Sequence, residues 1–100
     1  MAVGVLMNFA SGSNEAYDRV IERMGLTPGG ATPPGAIYHM AGETGDGGFR
    51  VVDLWDNAEA FEKFAQEQIG PLSAAEGFPA PEVTMWEIHN TLSAAPVGAS

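Results

Sequence analysis

The chain has 100 residues and no cysteine, and its 4 basic side chains stand against 13 acidic ones, for a net charge of −9. That length suits a single domain, the missing thiols exclude disulfides and thiolate chemistry, and the scattered Arg19, Arg23, Arg50 and Lys63 form no stripe able to hold nucleic acid or an anionic membrane surface. No apolar run of about 18 residues and no basic-then-apolar leader occurs, so the expectation is a cytoplasmic protein with no membrane partner.

In chain order, Val3 to Phe9 reads as a strand with Val3, Val5, Met7 and Phe9 on one face and Gly4, Leu6 and Asn8 on the other. A turn at Ala10 to Ser13 leads to a helix from Asn14 or Glu15 to Met24. Ser13 or Asn14 can cap it, Ala16, Val20 and Met24 fall on one side, and Gly25 stops it. The proline- and glycine-rich stretch 27–35 can only be a connecting loop. Ala36 to Glu43 and Phe49 to Trp55 read as a hairpin around Asp46-Gly47. Asp56, with Glu59 three residues on, looks like the cap of a second helix carrying Phe61, Phe64, Ala65 and Ile69, ending near Gly70-Pro71, with one short turn possible over Leu72 to Glu76. Glu82 to His89 is a fourth strand. The domain is expected over 1–92 and a flexible tail over 93–100.

The order βαββαβ is that of a ferredoxin-like α+β fold: a four-stranded antiparallel sheet with two helices on one face. The strands are apolar on both sides. Val51 and Trp55 alternate with Val52 and Leu54, and Val83 and Met85 with Trp86 and Ile88. A sheet of that kind must be covered twice. Helices cover one side, and a second copy of the chain is the expected cover of the other, so the chain is expected to form a homodimer.

The segment Val51-Val52-Asp53-Leu54-Trp55-Asp56-Asn57-Ala58-Glu59-Ala60-Phe61 carries a resemblance. An acidic-x-Trp strand end followed by an acidic-Ala-Phe helix opening resembles the dimeric α+β barrel superfamily, and within it the antibiotic-biosynthesis-monooxygenase-like domains. The likeness spans roughly Val3 to Leu92. It implies a dimeric barrel and a pocket between sheet and helices lined by Asn8 and Trp55. Members of that group include cofactor-independent oxygenases of aromatic polyketides, haem-degrading enzymes, cyclases, isomerases and proteins of no known activity. The haem-degrading type places a histidine in the second helix, where this chain reads Phe64-Ala65-Gln66-Glu67-Gln68. That departure argues against haem, and no cofactor is expected.

Three polar residues sit inside apolar strands. His39 carries an imidazole, a side chain type able to trade protons. Asp53 is costly to bury unpaired; it can orient His39 across the hairpin, or pair with Arg50 or another donor, since the glycine-rich turn allows more than one register. Asn8 needs a partner and, through the resemblance, can hold a substrate oxygen. His39, Asp53 and Asn8 are therefore the candidate catalytic groups, and Trp55, Tyr38, Met40, Phe61, Phe64 and Met85 the candidate substrate-binding ones. Tyr17 and Trp86 read first as core or interface. His39 and His89 show no ligand spacing, and no metal is expected. The expected activity is oxygenation, cyclisation or isomerisation of a small aromatic, polyketide-like substrate. The alternative is a hydrophobic-ligand-binding or structural protein of the same fold.

Overall fold

Alternation of side chains decides where the core lies. The computed structural model describes residues 1–94. Along β1 (Val3–Phe9), Val3, Val5, Met7 and Phe9 are buried, and along β3 (Phe49–Trp55) so are Phe49, Val51, Asp53 and Trp55. The strands pair antiparallel with Val5 opposite Asp53 and Met7 opposite Val51, so all these side chains share one face. β2 (Ala36–Glu43) adds to the other edge of β3, and β4 (Glu82–Glu87) to that of β1. The order is β2-β3-β1-β4, antiparallel throughout.

The helices cover the Val5–Trp55 face. α1 (Asn14–Arg23) starts where the Ser13 hydroxyl accepts the Ala16 amide at 3.1 Å, and it buries Ala16 and Val20. The second helical run opens with α2 (Ala58–Phe64), widens into one π-helical turn (Ala65–Ile69) and closes as α3 (Gly70–Ala75). Its cap is Asn57, whose side chain accepts the Ala60 amide at 2.8 Å; Asp56, the residue expected in that role, lies one position too early. Gly70-Pro71 does not end the helix as expected. Pro71 sits in the first turn of α3, directly after the π turn. Arg19 and Arg23 of α1 reach Glu76, just past α3, at 2.6 and 2.8 Å and tie the two runs together. The result is the ferredoxin-like α+β fold expected from the sequence.

The reverse face of the sheet carries Leu6, Tyr38, Met40, Val52, Leu54 and Trp86. Tyr38, Met40 and Trp86 are 61%, 54% and 45% exposed there. Gly4 is part of that surface: a Cβ at this position would stand 2.5 Å from the Trp86 indole, so the missing side chain lets the ring lie across β1. Of the expected tail, 93 and 94 are exposed, and 95–100 lie outside the described residues. Among the described residues no helix is long and apolar enough to cross a membrane.

Candidate functional site

A one-residue irregularity in β2 sets the site. Ala36 pairs with Trp55, but Tyr38 and not Ile37 pairs with Leu54, and His39 then faces Asp53. Without the extra residue, parity would put Tyr38 opposite Asp53. Bulges of this kind re-aim side chains, and here the bulge turns the imidazole toward the helix side.

Asp53 accepts at both oxygens. His39 Nδ1 lies 2.6 Å from Oδ1, and the Trp55 indole N–H donates to Oδ2 at 3.0 Å. Two donors offset the cost of a carboxylate buried among apolar strands. Asp53 thereby places the imidazole proton on Nδ1 and leaves the Nε2 lone pair facing the helices. The Tyr17 hydroxyl of α1 occupies that lone pair. Tyr17 and His39 are nearly parallel, with planes 8° apart, and Tyr17 also stacks on Phe49 at 5.2 Å. Burial pushes the Tyr17 phenol up to about 12, with the Asp53 and Asp18 carboxylates acting in the same direction. The phenol is therefore neutral at physiological pH.

The chain Trp55–Asp53–His39–Tyr17 lies along a cavity of about 670 Å³ between sheet and helices. That volume falls in the range of roughly 300–1,000 Å³ usual for small-molecule sites. Met7, Val20, Ile21, Met24 and Phe64 give it an apolar wall, and residues 26–33 of the proline- and glycine-rich loop close one side. Among the described residues no Lys or Arg lines it.

The structure brings His39, Asp53, Trp55 and Phe64 to this cavity; Tyr38 borders it, but it stands opposite Leu54 with its side chain on the reverse face. The structure does not bring Asn8. Asn8 lies on the reverse face opposite Arg50, whose Nε donates to its Oδ1 at 2.7 Å. Neighbouring Met7 and Phe9 face inward, so strand parity forces Asn8 outward. Met40 is outward for the same reason. Phe61 is buried behind Trp55, edge to face at 5.7 Å, and does not line the cavity. Met85 lies on the helix side of edge strand β4, beyond the cavity and partly exposed. Two contributors carry more than the sequence reading gave them: Tyr17, a possible cavity residue read first as core, and the loop, read as a connector. The segment 64–68, where a haem-ligating histidine would stand, turns Phe64 to the cavity, so these residues do not fit haem held in that manner. Among the described residues no three His, Asp or Glu side chains gather as a metal site.

Comparison with known proteins places this arrangement on a known scaffold. No family profile and no curated protein matches the chain. Solved structures do. SnoaB, a cofactor-independent oxygenase from Streptomyces nogalater, superposes with a TM-score of 0.59 at 20% identity over 91% of this chain and 95% of SnoaB. A candidate antibiotic biosynthesis monooxygenase from Chloroflexus aurantiacus J-10-fl gives 0.62 at 13% identity, over 93% and 98% of the two chains. Another from Deinococcus radiodurans gives 0.58 at 13%, over 93% and 97%. The chain therefore shares the fold of these oxygenase and antibiotic-biosynthesis-monooxygenase-like structures.

Proposed function

We propose that the cavity takes a neutral, electron-rich aromatic substrate and that His39 removes a proton from it, opening cofactor-independent oxygenation or a related cyclisation or isomerisation. The observation that carries this reading is the His39–Asp53 pair, braced by Trp55, at the wall of an apolar cavity. Asp53 holds the imidazole in one tautomer and stabilises the imidazolium that forms when Nε2 gains a proton. The absence of Lys and Arg from the lining, among the described residues, argues against a carboxylate or phosphate on the substrate. For oxygenation, the deprotonated ring supplies electrons to dioxygen. On an anthrone the balance is a CH₂ converted to C=O, with one oxygen atom of O₂ kept in the product and the other leaving as water. The likeness to SnoaB supports this chemistry over the other two.

We infer in addition that the chain works as a homodimer through the reverse face of the sheet, whose exposed Tyr38, Met40 and Trp86 support a covered apolar surface. A second reading, ligand binding without turnover, draws on the Tyr17 hydroxyl, which fills the one free imidazole lone pair.

The test is oxygen uptake with dithranol, a three-ring dihydroxyanthrone. The wild type is expected to exceed the uncatalysed rate, and His39→Gln to lose about 10²–10⁴-fold, the usual worth of a general base. Equal dithranol binding by both proteins, with no product from either, would establish the second reading.

A further inference from the structure

We propose that Tyr17 is a catalytic residue, the substrate-facing end of a proton relay through which the substrate's proton reaches His39. The inference rests on the proton-transfer reading of the site given above. Both imidazole nitrogens are occupied, Nδ1 by Asp53 and Nε2 by the Tyr17 hydroxyl, so His39 has no lone pair left for a ligand. The Tyr17 ring is stacked on Phe49 and lies parallel to the imidazole, which leaves it little room to swing aside. Tyr17 lines the cavity, and its oxygen keeps lone pairs after donating to Nε2. A hydroxyl or acidic C–H in the cavity therefore meets the Tyr17 oxygen before it meets the imidazole.

The step balances as two coupled transfers. The substrate O–H or C–H bond breaks and an O–H bond forms on Tyr17. The original Tyr17 O–H bond breaks and an N–H bond forms on His39 Nε2. Tyr17 ends as it began, one proton has moved from substrate to imidazole, and Asp53 faces the new imidazolium. A phenol that resists ionisation suits a carrier of this kind, since it holds its proton until Nε2 accepts it.

Tyr17→Phe removes the hydroxyl and keeps the ring on Phe49. With dithranol as the probe, kcat is expected to fall at least ~10²-fold, the low end of the range usual for proton-transfer groups, with KM within about threefold of wild type. A solvent deuterium isotope effect on kcat, carried by the exchangeable Tyr17 proton, is expected for the wild type and is expected to vanish in Tyr17→Phe. A melting curve of the variant reports whether it folds. A folded Tyr17→Phe protein with wild-type kcat, beside an inactive His39→Gln protein, overturns the relay and leaves His39 as the direct base. Full activity in His39→Gln, or no uptake by the wild type, overturns the proton-transfer reading itself and the relay with it.

Discussion

Asp53 accepts from two donors of different kinds, an imidazole N–H and an indole N–H, one on each oxygen. Asparagine has the same shape but only one acceptor atom. In Asp53→Asn one donor must face an NH₂ group, or His39 must turn to its other tautomer, in which Nε2 donates to the Tyr17 oxygen and has no lone pair left to take a proton. The expected cost is about 1–3 kcal/mol for a buried donor left unpaired. That corresponds to a melting point lower by roughly 4–8 °C per kcal/mol in a domain of this size. The same variant is expected to lose about 10²-fold or more in dithranol oxygenation, because the base is held in the wrong protonation pattern. A variant that melts earlier but turns over normally would reduce Asp53 to a structural group. His39 and Asp53 were legible as candidates because polar residues in apolar strands need partners. That they pair with each other was one of the alternatives the glycine-rich turn left open, and one bulged residue in β2 decides it. Asn8 misled for a related reason. Alternation shows which residues share a face, but when both faces are apolar it does not show which one the helices cover.

At the scale of elements, the strands were read nearly residue for residue, because alternating apolar side chains bounded by glycine, proline and turn residues mark them twice. The second helix was read less well. Its Gly70-Pro71 pair looks like a stop, yet the π turn ahead of it lets the proline begin a new α turn, and composition carries no sign of that. Gly12 shows how the turn after β1 is fixed. A Cβ there would stand 2.3 Å from the Phe78 ring and 2.9 Å from the Phe49 Cβ. Phe78 cannot yield, because it packs edge to face on Phe9 at 5.1 Å and on Phe49 at 5.6 Å. Gly12→Ala is therefore expected to cost about 1–3 kcal/mol by overpacking, read as a lower urea midpoint at unchanged slope. An unchanged midpoint would show that the aromatic cluster can shift freely, and that it does not hold Tyr17 through Phe49 as tightly as the relay requires.

The sheet is lopsided: one face is packed under helices, and among the described residues no helix covers the other, where Tyr38, Met40 and Trp86 are exposed. Val52 sits near the middle of that reverse face, level with Leu6 on β1 and Met40 on β2. If two copies meet there, Val52→Glu buries a carboxylate without a partner in each of them, a cost that an interface of standard size does not absorb. Each chain also brings a net charge of −9, so association already works against repulsion. Sedimentation at micromolar concentration is expected to show a dimer for the wild type and a monomer for Val52→Glu. The substituted side chain points away from the cavity, so the His39–Asp53–Trp55 contacts should survive in the monomer. Oxygen uptake by Val52→Glu then separates two roles for the partner. Retained turnover means that each chain holds a complete site and that pairing serves stability. Lost turnover in a folded monomer means that the second copy shapes the cavity. A wild-type monomer would leave the reverse face unexplained by self-association and would remove the dimer from the reading.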